Sequence, residues 1–552
     1  MINIITNIVL LWENLMLKRK PLFFSSLIQF FNLINRIMKK SNKILSRRNF
    51  LGKVGTATAA FTIIPRHVMA GTGYLQPSDT INVAVIGCGS QGTSDARSLC
   101  PPDEAIVRPN RHGRTGILVG DPFYEEAVQR DALRGAPIAP ELTPEEDVPS
   151  TRIEQSDPSA GPSGAPMGTR DQSAKLANIY ALCDVDTEFA GPTFRAYPKA
   201  KVYTDWRELL EKEKSNIDAV VIATPDHNHA LIAAAFMREK KHIYMQKPMA
   251  KTPYECRKLA ELAQEYDVVT QQGNQGHATD NTRRCVEWIQ SGVIGFVREV
   301  HVQGGGPPWP RGYIERPEGI KIPSHINYDL WTGPAPLKPY HPLCFHNQWR
   351  ALWDYGTGYL GDWIGHHFDS IWWALNLDRP IRVHASSTRF SRDYYPEAEE
   401  IIYEFPARGY NPPVKIIWRD GGIKTPRPSE MEQGRRMPTT IFIGDKGILA
   451  AGKDNAPSFI PERLDFEGPE PWIPRTGNVF EQWIDCIKSG TKTTNDFSYS
   501  SKIIESGLLG NIANLMQNDN IILEYDGARG RFTNSEKANS LLHYEYRKGW
   551  TL

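Results

Sequence analysis

The segment "INVAVIGCGSQG" (Ile81–Gly92) constrains the fold more than any other: a β-rich apolar run breaks directly into GxGxxG, with Gly87, Gly89 and Gly92 in the three glycine positions. The first glycine permits a tight turn, the second lets a pyrophosphate approach the backbone, and the third allows close strand–helix packing. The following helix then points its N-terminus at the phosphates. Ser90 and Gln91 join Gly87, Gly89 and Gly92 as expected dinucleotide contacts. The motif needs a partner, an acidic residue closing the second strand about 20 residues later. Instead, residues from about Pro101 to Gln172 are rich in Pro, Gly, Asp and Glu ("LRGAPIAPELTPEEDVPS", "SDPSAGPSGAPMGTR") and lack periodicity over most of their length. Then comes "LANIYALCDVD", a strand ending in Asp184. The stretch 101–172 therefore reads as a surface insertion in the first βα unit, with Asp184 as the delayed ribose-binding carboxylate; a solvated loop Asp is the alternative. A carboxylate there accepts hydrogen bonds from the ribose and repels a 2′-phosphate, which favours NAD over NADP.

Further strands alternate with helices: "IDAVVIATP" (Ile217–Pro225), a helix from about Ala230, "HIYMQKP" (His242–Pro248), a helix from about Pro253, and "VVTQQGN" (Val268–Asn274). That alternation predicts an α/β fold with a doubly wound parallel sheet over 79–275. Ligands gather at the carboxyl ends of such strands, so Thr224, Pro225, His227, His229, Gln246 and Lys247 are expected to contact the cofactor. His227 and His229 are also spaced for two metal ligands, but no third is evident nearby and no metal is expected. From 276 to 552 a second domain is predicted, opening with the helix "TDNTRRCVEWIQSG" and the strand "VREVHVQGG" and continuing through "IIYEFPA", "VKIIWRDGG" and "TIFIGDKGILAAG". Between Trp309 and Trp353 aromatics and prolines are dense, which suits either a pyranose face or a core or subunit interface. Tyr340, Trp349 and Arg350 are candidate substrate contacts.

Charge excludes one class of partner. Lys plus Arg (64) nearly cancels Asp plus Glu (63), with no long basic run, so nucleic acid is not expected. The seven cysteines are scattered and never in CxxC spacing, which indicates neither a disulfide framework nor a structural zinc site. From Met38, "MKKSNKILSRRNFLGKVGTATAAFTIIPRHVMA" resembles a twin-arginine export signal, with Arg47 and Arg48 paired. Its apolar run, Val54–Ile64, is too short for a bilayer crossing of about 20 residues. Residues 1–70 are thus expected to be signal plus an upstream extension, with cleavage near Ala70, a periplasmic location and no stable membrane insertion afterwards.

One later motif remains, "DWIGHHFD" (Asp362–Asp369). Taken with "TPDHNH" and "QKP", it makes the chain resemble the Gfo/Idh/MocA oxidoreductase family from about Ile81 to the C-terminus, excluding the insertion. The resemblance implies an N-terminal Rossmann domain and a C-terminal α/β domain whose large, open, mostly antiparallel sheet faces a nicotinamide. The lysine of the family's EKP triplet falls on Lys247, with Gln246 replacing the glutamate. Its DxxxH element falls on Asp362 and His366, which share one face of a helix begun near Asp362. A hydride leaves carbon only as the attached hydroxyl loses its proton, so His366 is expected as base, Lys247 to position the oxygen, and Asp362 to orient substrate. His367 is a competing base, and Asp369 is expected to be structural. The resemblance implies an NAD(P)-dependent oxidoreductase acting on a secondary alcohol of a sugar, cyclitol or glycoside, in a homodimer or homotetramer. Export, which removes it from the soluble NADH pool, suggests a tightly held cofactor. An NAD-dependent glycoside hydrolase working by transient oxidation and elimination, a noncatalytic sugar-binding homologue, and a metal-dependent hydrolase are the rival readings.

Overall fold

The computed structural model describes residues 80–103, 106, 175–306, 309–452, 455–463 and 465–552; the expected export signal and most of the insertion lie outside them. Six strands build the first sheet: β1 (Asn82–Ile86), β2 (Asn178–Cys183), β3 (Lys201–Tyr203), β4 (Ala219–Ile222), β5 (His242–Met245) and β6 (Thr270–Gln272). Their order is β3-β2-β1-β4-β5-β6 and every neighbouring pair is parallel, the doubly wound order of dinucleotide-binding folds. β1 (NVAVI) and β4 (AVVI) are continuous apolar runs because helices cover both faces of a parallel sheet.

The flanking helices are α1 (Ser90–Leu99), α2 (Thr187–Ala196), α3 (Trp206–Glu213), α4 (Asp226–Arg238), α5 (Pro253–Glu265) and α6 (Asp280–Gln290). The ends of the insertion meet: Leu176 and Ala177 N–H both donate to Leu99 O, at 2.8 and 3.2 Å. β2 therefore pairs with β1 from Asn82↔Asn178 to Ile86↔Cys183, as if no insertion were present. Asp184 follows directly, beside the glycine loop. α5 opens on a capping box, Thr252 with Glu255, and carries Pro253 at its first position, where a missing N–H costs nothing.

The second sheet has nine strands: β7 (Val297–Gln303), β8 (Arg382–Ser387), β9 (Glu399–Phe405), β10 (Val414–Arg419), β11 (Thr440–Gly444), β12 (Ile448–Gly452), β13 (Asn455–Ile460), β14 (Leu523–Asp526) and β15 (Arg531–Phe532). The order is β13-β12-β11-β7-β10-β9-β8-β14-β15, and only β7 and β10 run parallel. β9 (EEIIYEF) alternates: Ile401, Tyr403 and Phe405 point into the core. On its other face Glu400 pairs with Arg419 at 2.6 Å and Glu404 with Lys415 at 3.3 Å. The core face is covered by α7 (Gly358–His367), α8 (Asp369–Leu375) and α10 (Phe497–Met516), with α9 (Val479–Ser489) preceding α10. Phe368 meets Tyr403 edge-on at 5.6 Å and Trp372 meets Phe405 at 5.2 Å, and burial of each such side chain contributes about 1.5–3 kcal/mol. Close approach of α10 needs a glycine, because a Cβ at Gly510 would lie 2.3 Å from the Tyr403 hydroxyl.

The two sheets share covering helices. Phe480 of α9 stacks on Tyr244 of β5 at 4.6 Å, with Trp483 edge-on at 5.6 Å, so a helix from the expected second domain closes a face of the first sheet. Ser78–Leu552 accordingly forms one compact unit. No helix among the described residues is long and apolar enough to cross a membrane.

Candidate active site

The glycine loop forms a cradle. Gly87 has φ +87°, and a Cβ there would lie 2.6 Å from the Ala223 carbonyl; one at Gly92 would lie 1.8 Å from Gly87 O. Gly87, Gly89, Ser90 and Gln91 line a cavity at the N-terminus of α1, and Gly92 packs beneath the turn. Asp184 lines the same cavity, its carboxylate fixed by the Cys88 N–H on Oδ2 at 2.7 Å and the Asp186 N–H on Oδ1 at 2.9 Å. A close-approach turn, a helix N-terminus and a held carboxylate are what a pyrophosphate and its ribose require, so these residues fit NAD. Gly92→Ala is expected to cost about 1–3 kcal/mol of stability and to weaken NAD binding, checked by denaturant titration and calorimetry.

At the opposite end of the cavity the chemistry gathers. Thr224, Pro225, Gln246, Lys247, Trp349 and Arg350 line it, together with Asp226. The Lys247 ammonium lies 3.0 Å from Asp362 Oδ1, and Arg350 Nε donates to the same oxygen at 3.1 Å. Burial pushes the Asp362 carboxyl up, but the two cations and their hydrogen bonds outweigh it and hold the group below the usual carboxylate range. Asp362 is not at a helix start, as expected, but in the second turn of α7, which begins at Gly358. His366, one turn on, places Nδ1 3.0 Å from Asn274 Oδ1. With Nδ1–H donating to that carbonyl, the neutral ring carries its lone pair on Nε2. Lys247 Nζ and the His366 ring both lie against Trp363, 5.5 and 5.6 Å from its centroid. The lysine and imidazole thus share one indole neighbour, and neither Asp362 nor His366 is among the residues that line the cavity.

Other expected residues do something else. His227 and His229 do not line the cavity: His227 sits between Tyr355 O (3.1 Å) and Trp331 O (2.8 Å), and His229 between Pro248 O (2.7 Å) and Thr224 O (2.8 Å). Burial lowers both imidazoles from their ordinary value, against the backbone carbonyls that raise them, and each ring braces two loop carbonyls. The reason is the start of α4 at Asp226, not near Ala230, which turns both side chains into a helix buried on nearly every side. Tyr340 is likewise core, edge-on to Tyr328 at 5.3 Å and Phe345 at 5.4 Å. His367 meets Trp418 edge-on at 5.5 Å, and Asp369 binds His277 at 2.9 Å. Among the described residues no cluster of three His, Cys, Asp or Glu side chains could hold a metal.

Two residues, Asn274 and Asp95, have no role in the sequence reading, and a third, Asp226, has there only a place on the ligand-binding edge of the sheet. Asn274 sets the His366 tautomer. Asp226 is buried at the cavity edge, with Oδ2 accepting from Thr357 Oγ1 at 2.7 Å and Oδ1 lacking a hydrogen-bond partner. Burial, then the Asp362 charge, raise it to about 7 against Arg350, Thr357 and Lys247. Asp95 explains the unusual Gln246: the amide Nε2 donates to both carboxylate oxygens, at 2.9 and 2.8 Å, and Gln91 adds a third bond at 3.0 Å. A glutamate at 246 would have no proton to offer, so Gln246→Glu sets two carboxylates in contact. That variant is expected to lose about 1–3 kcal/mol at pH 8 and to recover in Gln246→Glu/Asp95→Asn, read from denaturation midpoints.

Residues 161–274 match the description "Oxidoreductase family, NAD-binding Rossmann fold", and residues 280–418 match "Oxidoreductase family, C-terminal alpha/beta domain". The first match begins beyond the glycine loop, which the insertion separates from β2. Among curated relatives, myo-inositol 2-dehydrogenase of Thermotoga maritima is 26% identical over 152 residues, 27% of this chain and 45% of that protein. Levoglucosan dehydrogenase of Pseudarthrobacter phenanthrenivorans is 28% identical over 116 residues, 21% of this chain and 29% of that one. The chain thus spans less than half the length of these relatives. Among solved structures, GenD2 from gentamicin A biosynthesis in complex with NAD aligns at TM-score 0.47 and 15% identity, covering 83% of this chain and 99% of that one. By its two consecutive matches, the chain is similar to the Gfo/Idh/MocA oxidoreductase family.

Proposed function

We propose that the protein is an NAD-dependent oxidoreductase that exchanges a hydride with the carbinol carbon of a sugar, cyclitol or glycoside. The observation that carries this reading is the ion pair of Lys247, at the cavity wall, with Asp362, which stands one helical turn before His366 on α7. Bound NAD would supply the hydride acceptor. Lys247 offsets the negative charge that grows on the substrate oxygen, in a site where few waters compete. His366 takes the hydroxyl proton, its ring held in orientation by Nδ1 on Asn274 Oδ1. Asp362 stays ionised and holds both Lys247 and Arg350, so the lysine is aimed without being consumed as an acid. Trp349, against which the Arg350 guanidinium lies 4.3 Å from the ring, offers a flat apolar face to a pyranose or cyclitol. The inositol and levoglucosan dehydrogenases among the relatives support that substrate class.

The reading extends to location. The paired Arg47 and Arg48 support export by the twin-arginine route, already folded, to the periplasm. There the cofactor is held through turnover and reset by a second alcohol or carbonyl substrate. The test is to denature the purified mature protein and quantify released NAD(H), then to follow nicotinamide absorbance on adding myo-inositol, levoglucosan and a panel of aldoses. Near-stoichiometric NAD(H) and a substrate-dependent absorbance change are expected. Absence of any hydride exchange with NAD bound would overturn the proposal.

A further inference from the structure

Two neighbouring strands of the first sheet end at the groups assigned to the reaction. β5 runs into Gln246 and Lys247, and β6 runs into Gly273 and Asn274, whose Oδ1 stands 3.0 Å from His366 Nδ1. The Gly273 N–H donates to Met245 O at 2.6 Å, so the strand ends are bonded to each other just before these residues. One side chain fills the space between them. A Cβ at Gly273 would lie 2.9 Å from the Gln246 amide carbon and oxygen, so that amide is packed against the backbone leading to Asn274. The direction Gln246 takes therefore bears on Lys247 through their shared backbone and on Asn274 through Gly273.

What sets that direction comes from a third element. Asp95 lies in the second turn of α1, is 1% exposed, and accepts from Gln246 Nε2 on both carboxylate oxygens. An ionised carboxylate has only acceptors, so the amide can face it one way round: Nε2 on Asp95, and Oε1 toward the Lys247 N–H, 3.4 Å away. The same carboxylate holds Gln91, in the first turn of α1, by its Nε2 at 3.0 Å. This arrangement is not cheap to bury. Desolvation raises the Asp95 carboxyl to about 7 against the bonds from Gln246 and Gln91. An apolar side chain would fill the base of α1 without that cost, so what Asp95 adds there is its hold on the two amides.

We propose that Asp95 is a positioning residue for the hydride exchange: by holding the Gln246 amide it sets where the Lys247 ammonium stands relative to Asp362 and to the imidazole that Asn274 holds. The proposal rests on the reading above, in which Lys247 and His366 act on one carbinol. Asp95 does not line the cavity and acts only through Gln246. A displacement of about 1 Å at a reacting group can cost about 10²-fold in rate, so the loss of Asp95 falls on kcat more than on the binding of NAD or substrate.

The test compares the unaltered protein, Asp95→Leu and the exchanged pair Asp95→Asn/Gln246→Glu at pH 8, where Asp95 is mostly ionised. It measures kcat and KM with myo-inositol and levoglucosan, NAD affinity by calorimetry, and the crystal structure of each protein. Asp95→Leu keeps the bulk of the side chain and removes its acceptors. Its kcat is expected to fall about 10²-fold while KM and NAD affinity move less than about threefold, with Lys247 Nζ displaced by about 1 Å from its place beside Asp362. The exchanged pair reverses donor and acceptor but keeps the contact, and is expected to regain at least about tenfold in kcat. If Asp95→Leu does not fold, Asp95→Asn, which retains one acceptor oxygen, is read in its place by the same measurements. A merely structural Asp95 would lower the denaturation midpoint and leave kcat per folded molecule unchanged; that result, or a Lys247 that has not moved, overturns the proposal. The crystal structures separate this from the proposed function. A displaced Lys247 in a protein that exchanges no hydride before substitution removes the function and keeps the positioning role, whereas full kcat in a variant of an active protein removes only the role of Asp95.

Discussion

Lys247→Met and His366→Asn are each expected to lower kcat by about 10²–10³, equivalent to about 2.7–4 kcal/mol of transition-state stabilisation, while NAD affinity changes little. The lysine faces the oxygen and the histidine takes its proton, so charge and proton move in one event. Removing either group leaves the other with nothing to complete. The double variant is therefore expected to be about as slow as the worse single one, not slower by the product of the two. Steady-state nicotinamide absorbance in the four proteins measures this cycle. Strict multiplicativity would mean that the two residues serve separate steps. Stability is the control. Asp362 keeps Arg350 at 3.1 Å when Lys247 is replaced, so its charge is not left alone. Its depressed pKa contributes stability above the unfolded carboxyl range and loses it on acidification; in Lys247→Met that loss begins at higher pH. Assays at pH 7 to 8 keep both variants folded.

The parts of this site that were legible in the sequence are those where one residue type answers one geometric demand. Gly87 and Gly92 sit where a Cβ would strike backbone at 2.6 and 1.8 Å, so the motif had no other composition open to it. The insertion hid Asp184 from any fixed spacing, yet the strand "NIYALC" before it survived because sheet pairing depends on Leu99 and Leu176 meeting, not on what lies between them. The pairing of β7 with β10 in an otherwise antiparallel sheet was not legible, since a strand's own sequence does not record the direction of its neighbour. His227 and His229 misled for a local reason. The sequence predicts a helix only from about Ala230, whereas α4 starts at Asp226 with Pro225 as its N-cap, and four residues of register decide whether an imidazole faces the cleft or the core. Asp95 gave no signal, and Asp226 no more than its place on the sheet's carboxyl edge, because a carboxylate's role follows from burial and from partners distant in the chain, here Gln246 and Thr357.

Asp226→Asn is expected to stabilise the protein at pH 8 and to leave it unchanged at pH 4. In the folded state burial and the neighbouring Asp362 charge raise the Asp226 carboxyl to about 7, whereas in the unfolded chain it titrates near the ordinary value of about 3.9. Between those values the folded state binds more protons than the unfolded one, so stability falls as pH rises and levels off above about 7. Asparagine keeps an oxygen for the Thr357 hydroxyl but cannot ionise. The gain at pH 8 should be on the order of 2–4 kcal/mol, at about 1.4 kcal/mol per pKa unit. Asp95, also raised to about 7 by burial, keeps part of the slope in this variant and removes it in the double substitution with Asn. Denaturant midpoints from pH 4 to 8 give the curve directly. Activity adds a second reading: ionisation of Asp226 changes the field at Lys247 and Asp362, so kcat/KM should lose its titration near pH 7 in Asp226→Asn. A variant whose stability runs parallel to that of the unaltered protein at every pH would mean that Asp226 is ionised in the folded state, and the two carboxylates would then share the cations of Lys247 and Arg350.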